Sequence, residues 1–135
     1  MNEILQFVAT RLSFLFEDNR FRIVHSESSN SMGNALVILE SKTIRLRIAR
    51  DRSQFLPDLQ FLESESDRWY GLHTVRSRLG DVEPSGILDE KAVEFLRSSL
   101  VEAERLSATQ ALASNFESEL EKIQQERAID RWGPI

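Results

Sequence analysis

ALVILESKTIRLRIARDR, residues 35–52, is the stretch of this sequence that decides the fold. In its second half apolar residues alternate strictly with arginines, which is typical of a strand with one buried face and one open face. The apolar residues are Ile44, Leu46 and Ile48, and the arginines between them are Arg45 and Arg47. The stretch therefore predicts a β-hairpin with its turn near Ser41-Lys42 and with a charged outer face.

Further strands flank this hairpin on both sides. Residues 21–27 alternate in the same way and predict a first strand with His25 on its apolar side. A loop of turn-forming residues, 28–34, joins that strand to the hairpin. Residues 54–62 predict a fourth strand, and Pro57 places it at a sheet edge or a bulge because proline cannot donate to a ladder. Four strands with short connections predict an antiparallel meander, since parallel neighbours need long crossovers.

Helical patterns lie before and after the predicted sheet. Residues 2–17 repeat apolar side chains at helical spacing and predict an amphipathic helix. Residues 68–79 predict a short helix that stops at Gly80, and Asp89 is a suitable N-cap for a following helix. The expected fold class is α+β: an N-terminal helix, a four-stranded antiparallel meander, a short helix and a helical C-terminal region.

The C-terminal region carries two apolar seams that do not share one register. The offset between them falls at Ser107, where a capping-box pattern begins. One unbroken helix over 89–130 would be about 63 Å long, whereas a compact chain of this length has a radius of gyration of roughly 14 Å. Either the chain turns near 107–109 or its end projects and seeks a partner, and we favour the break or bend. The expected division is a single α+β domain, 1–106, and an acidic helical extension, 107–135, that is docked or projecting.

Composition and charge limit the class of protein. A chain of 135 residues with 41% apolar and 29% charged residues is typical of one globular domain. Residues 1–80 carry a net charge of +1 and residues 81–135 carry −6, so the acid lies in the C-terminal part. Nucleic acid is an unfavourable partner for an acidic chain. The sequence has no cysteine, no signal-peptide pattern and no bilayer-length apolar run, so we expect a soluble cytoplasmic protein without membrane contact.

Motifs for catalysis or cofactor binding do not occur in the sequence. The two histidines, His25 and His73, have no metal-ligand spacing, and the five glycines form no phosphate-binding loop. Acidic residues two apart on a helix point in different directions and suit a solvated face better than a shared proton or metal. We expect no enzyme activity, no metal and no cofactor.

The candidate binding residues are arginines on or near the hairpin, together with two tryptophans. They are Arg22, Arg45, Arg47, Arg50, Arg52, Trp69 and Trp132. Arginine forks suit carboxylates and phosphates alike. One alternative is a polar outer face paired with the chain's own Glu27, Glu40 or Asp58. The second is recognition of an acidic protein surface. Nucleic acid is the weakest alternative, because no stacking aromatics are interleaved with these arginines.

The strand patterning resembles that of small uncharacterised bacterial proteins, some of which resemble immunity proteins of toxin systems. The segments that carry the resemblance are Phe21–His25, Gly33–Glu40, Arg45–Gln54 and Trp69-Tyr70, within residues 20–80. The resemblance implies a small cytoplasmic α+β domain that binds another protein and performs no catalysis. It carries over no functional residue, and the long acidic C-terminal region departs from it.

Together these observations predict a non-enzymatic protein-interaction module, immunity-like in binding and masking another protein. A rival hypothesis is a small hydrolase or ligand-binding protein with a cleft near His25, Arg45 and Arg47. A third is a structural homodimer formed through the C-terminal helix at 107–130.

Overall fold

The alternating hairpin forms two neighbouring strands of an antiparallel sheet in the computed structural model, which describes residues 2–28, 34–82 and 84–132. The strands are β1 (Arg22–Ser28), β2 (Ala35–Glu40), β3 (Ile44–Asp51), β4 (Gln54–Phe61) and β5 (Tyr70–Gly71). The helices are α1 (Asn2–Arg11), α2 (Leu72–Arg78), α3 (Glu90–Ser98), α4 (Leu100–Leu106) and α5 (Gln110–Trp132). The predicted α+β class is confirmed.

The sheet is a meander of five strands in the order β1-β2-β3-β4-β5, one strand more than predicted. Tyr70 and Gly71 were expected in a helix but pair with Leu59 and Asp58 of β4, so α2 begins only at Leu72. The two-residue strand carries no alternation pattern, and its pairing depends on β4 being in place. The loop predicted at 28–34 lies mostly outside the described residues.

Pro57 lies in β4 opposite Ile48 of β3, one residue before the part of β4 that pairs with β5. The prediction that Pro57 places this strand at a sheet edge or a bulge is wrong, because β4 lies between β3 and β5 and its pairing with β3 shows no register shift. Pro57 is tolerated just outside the two residues of β4 that pair with β5.

One face of the sheet is the core face. Seven of its apolar residues in β2, β3 and β4 are fully buried, whereas the alternate residues of β2 and β3 are half-buried. The buried set is Val37, Leu39, Ile44, Leu46, Ile48, Leu59 and Phe61. The alternation therefore acts as predicted and directs the helices to a single side of the sheet.

The N-terminal helix is shorter than predicted. α1 ends at Arg11, and a tighter 3₁₀ segment, Ser13–Asn19, completes the stretch. This segment ends with Asp18 and Asn19 in the left-handed region, which these two residue types tolerate. Its buried Leu15 joins the same core as α1.

The C-terminal region is three helices rather than one. Asp89 caps α3 as predicted, its carboxylate accepting from the Ala92 N–H at 2.9 Å. The chain turns after Leu106, but the cap of α5 is Thr109, whose hydroxyl accepts from a backbone N–H of the first turn. Ser107 instead donates to the Ala103 carbonyl at 2.8 Å. A further break at Ser99 separates α3 from α4 and was not predicted.

α5 packs on the core face through Ala113, Phe116 and Leu120, which belong to the same core as the sheet. Phe116 meets Phe61 edge-on with ring centroids 5.4 Å apart. A polar contact accompanies the apolar one, because the buried Tyr70 hydroxyl lies 3.1 Å from both the Glu117 and the Glu121 carboxylates and shares its one proton between them.

Part of the C-terminal acid is matched by arginines from the first 80 residues. Arginines from the first 80 residues pair with carboxylates that follow residue 81; the pairs are Arg11–Glu90, Arg20–Glu104, Arg68–Glu121 and Arg78–Glu119. These pairs join the N-terminal part of the sequence to its acidic C-terminal part. Arg45 and Arg47 of β3 are not among them and pair with other carboxylates.

Candidate interaction face

The surface that gathers the predicted binding residues is the side of the sheet opposite the core, which we call the outer face. It consists of Arg22, Leu36, Ile38, Glu40, Arg45, Arg47, Ala49, Leu56, Asp58, Gln60 and Trp69. Cross-strand pairing arranges its strand residues in three rungs. A charged rung lies nearest the hairpin turn, an apolar rung lies farthest from it, and a mixed rung lies between them.

Glu40 is the centre of the charged rung. It accepts from Arg45 Nε at 2.9 Å and from Arg22 Nη2 at 3.2 Å. Partial burial alone would raise the pKa of Glu40, but the hydrogen bonds from both arginines outweigh it and hold the pKa below its ordinary value. Arg45 also donates to the Gln60 side-chain oxygen at 3.1 Å.

The mixed rung holds an arginine stacked on a tryptophan. Arg47 donates to Asp58 at 3.1 Å, and its guanidinium carbon lies 4.3 Å from the centre of the Trp69 ring. This distance is within the range of a cation–π contact. Ile38 lies directly across from Arg47 and is only half-buried.

The apolar rung is Leu36, Ala49 and Leu56, which lie opposite one another on β2, β3 and β4. All three are half-buried although they face away from the core. The run of five apolar residues at 35–39 was the sequence signal for this feature, because five in succession place apolar side chains on both faces of a strand.

The predicted arginines are therefore internally paired in part. Glu40 and Asp58 pair with them, as expected for a polar outer face paired within the chain. Glu27, the third carboxylate named in that alternative, lies 3.0 Å from His25 instead. Arg22 has a side chain that is 77% exposed and remains the most accessible cation of the charged rung.

Three predicted residues do not join the outer face. Arg50 lies in the core-face register and pairs with Glu3 of α1 at 2.8 Å. Arg52 lies in the turn between β3 and β4, exposed and with a φ of 61°. The side chain of Trp132 lies outside the described residues.

His25 does not share a described cleft with Arg45 and Arg47. A register shift between Ile23 and His25 puts the histidine on the outer side of β1, opposite Ile38, rather than on the predicted apolar side. It is two strands from Arg47, a backbone separation of about 10 Å. A cavity of about 390 Å³ lies around Glu104, Arg20 and Lys42, and none of His25, Arg45 and Arg47 lines it.

His73 lies beside the outer face and was not singled out by sequence. Burial lowers its pKa, and the Arg127 guanidinium lowers it further, while Asp58 acts in the opposite direction. The ring lies directly over Gly71, where a Cβ would come within 2.4 Å of it. Any side chain at this position therefore requires the His73 ring to shift.

No protein-family model matches the sequence, and no curated protein or solved structure is significantly similar to it. Within residues 2–28, 34–82 and 84–132, no three His, Asp or Glu side chains are grouped so that they could hold a metal ion. None of the helices described is long and apolar enough to cross a bilayer.

Proposed function

We propose that this protein is a non-enzymatic interaction module of the cytoplasm that binds another protein through the outer face of its sheet. The observation that supports the proposal is the half-buried outer face of the sheet, on which the apolar rung lies beside the Arg47–Trp69 stack.

A sheet face that only meets water usually carries polar side chains. Here Leu36, Ile38 and Leu56 interrupt the polar pattern, and Trp69 adds an aromatic ring at the centre. Tryptophan and arginine are the residues most often found at the energetic centres of protein interfaces, with neighbouring apolar contacts that exclude water. The outer face has this composition.

Charge defines the partner further. Arg45 and Arg47 are already neutralised by Glu40 and Asp58, so a strongly acidic partner gains little from them. Arg22 is the cation that can reach outward. The partner is therefore a protein with an apolar patch and a carboxylate at its rim. Masking of a toxin-like protein, which the resemblance of residues 20–80 implies, is one form of this function.

The test uses the full chain with substitutions on the outer face. Proteins captured from the native host cytoplasm by the wild-type chain are identified, purified and titrated calorimetrically against Leu36→Asp and Trp69→Ala. Val101→Asp, at a 63% exposed residue of α4, is the matched control. We expect each face variant to weaken binding at least about thirtyfold and the control to bind as wild type.

Circular dichroism separates loss of binding from loss of fold. Folded face variants that bind with unchanged affinity would overturn the proposal, as would a wild-type chain that captures no protein that binds it when purified.

A further inference from the structure

β1 is an edge strand with an unusual degree of exposure. All seven of its residues are exposed, and among the described residues it pairs only with β2. Ile23 and Val24 remain 44% and 42% exposed, so two β-branched side chains accompany an open row of backbone donors and acceptors. Such an edge is a ready template for pairing with another strand.

Two of the usual protections of an edge strand, lysine and proline, are absent from β1. Its protections are the charged Arg22 and Glu27 near its two ends and a register shift between Ile23 and His25, and they leave the exposed Ile23 and Val24 uncovered. The opposite edge of the sheet is different, since β5 has two residues and passes directly into α2. Of the two described edges, only β1 offers the length for a stable strand pair.

The charges of β1 favour antiparallel pairing with β1 of a second copy of the chain. Arg22 lies at its start and Glu27 near its end, and antiparallel pairing places the start of one strand beside the end of the other. Residues five apart normally lie on opposite faces of a strand. The register shift changes this, so that Arg22 opposite Glu40 and Glu27 opposite Leu36 both lie on the outer side.

The same register also sets residues from the core side of β1 opposite each other. Ile23 and Ser26 lie opposite Leu39 and Val37, which are both core-face residues. If Arg22 of one copy faces Glu27 of the other, then Ile23 faces Ser26, and each pair shares a face. A slip of one residue would set residues of opposite faces against each other.

We infer that two copies of this chain associate through β1, antiparallel and with Arg22 opposite Glu27, so that the two five-stranded sheets become continuous. The contact lies at the edge of β1 and shares Arg22 with the outer face, but it does not include the rung residues of β2, β3 and β4. It is also distinct from the C-terminal helix, whose apolar Ala113, Phe116 and Leu120 are already buried in the chain's own core.

The first test is the mass in solution. Sedimentation equilibrium of the full chain across the micromolar range should give a dimer of the 15.6 kDa protomer. Ile23→Lys, which places the common edge-protecting residue on the exposed strand, should give the monomer, and the matched control Val101→Lys should remain dimeric. A wild-type chain that is monomeric throughout, or an Ile23→Lys variant that dimerises as wild type, overturns the inference.

The second test reports the register. Because the chain has no cysteine, introduced pairs report only on each other. Ile23→Cys/Ser26→Cys places facing thiols across the dimer, while within one chain the two lie about 10 Å apart, too far for a disulfide. Mild oxidation should link this variant into a covalent dimer and should leave Ile23→Cys/Glu27→Cys unlinked. Equal linking of both variants, or of neither, contradicts the assigned register.

The charges can be exchanged to complete the test. Glu27→Arg places arginine opposite Arg22 twice in the symmetric dimer, and we expect the dissociation constant to rise about tenfold. Arg22→Glu/Glu27→Arg restores opposite charges and should recover most of the loss. An equally weak dimer in the double variant, with β content unchanged by circular dichroism, is evidence against the pairing.

Discussion

Removing the Tyr70 hydroxyl tests how the C-terminal helix is held on the sheet. Tyr70 and Glu117 are both buried, and the one proton of the tyrosine hydroxyl is shared between Oε2 of Glu117 and Oε1 of Glu121, each 3.1 Å away. The other oxygen of Glu117 is buried with no partner among the described residues. Burial and then the adjacent Glu117 raise the pKa of Tyr70 far above its ordinary value, so the hydroxyl keeps its proton and acts as a donor.

Tyr70→Phe keeps the ring that packs against Phe61 and removes only the donor. Glu121 retains its ion pair with Arg68, whereas Glu117 loses the one donor that the structure gives it. A hydrogen bond to a charged group, lost with its acceptor still buried, costs about 2–3 kcal/mol. The urea midpoint should therefore fall by about 1–2 M, since the denaturant slope for a protein of this size is about 1–3 kcal/mol per M.

The measurement is urea unfolding at neutral pH followed by far-ultraviolet circular dichroism. Tyr70→Phe/Glu117→Leu should regain most of the stability, because replacing both partners by apolar groups leaves no unsatisfied acceptor. Ser118→Ala removes an exposed hydroxyl of the same helix and should stay within about 0.5 kcal/mol of wild type. A Tyr70→Phe variant within about 0.5 kcal/mol of wild type, or a double variant no more stable than Tyr70→Phe, would refute the reasoning.

Two further predictions concern His73 and its surroundings. Gly71→Ala forces a Cβ against the His73 ring and should destabilise the fold by about 1–3 kcal/mol in thermal unfolding. Gly86→Ala, whose Cβ would lie 3.7 Å from the same ring in ordinary contact, should change stability far less; equal effects would show that the ring gives way freely. Because burial and Arg127 lower the native pKa of His73, the unfolded chain binds a proton first as pH falls through the ordinary histidine value of 6.5. Stability should therefore drop over that window and the drop should end once the native histidine is also protonated. This fall in stability should be smaller in the His73→Gln variant. A nuclear magnetic resonance titration that gives an ordinary or raised pKa for the His73 imidazole would contradict the prediction.

The sequence contained the local signals of the fold. Alternation at 44–48 fixed which side chains of β3 enter the core, and Asp89 marked the start of α3, because both depend on neighbours a few residues apart. The offset of the apolar seams indicated the turn after Leu106. The capping-box pattern pointed to Ser107 as the cap of α5, whereas the cap is Thr109. Both residue types are able to cap a helix, and only tertiary packing selects between them.

The candidate site was predictable only in part. Arg45, Arg47 and Trp69 were identified by residue type, and their partners Glu40 and Asp58 were among those expected. The apolar rung of that face was missed, because an apolar run does not reveal which of its members a helix will cover.

By itself the sequence determined the α+β class, the buried side of the hairpin and the separation of positive and negative charge along the chain. Only the tertiary structure decided that β1 lies at an open edge and that a register shift turns His25 outward. It also decided that Arg50 pairs with Glu3 while Arg47 stacks on Trp69. The physical reason is range. Propensity and periodicity act within a few residues, whereas strand order, register and ion pairing depend on groups far apart in sequence that meet only when the whole core has formed.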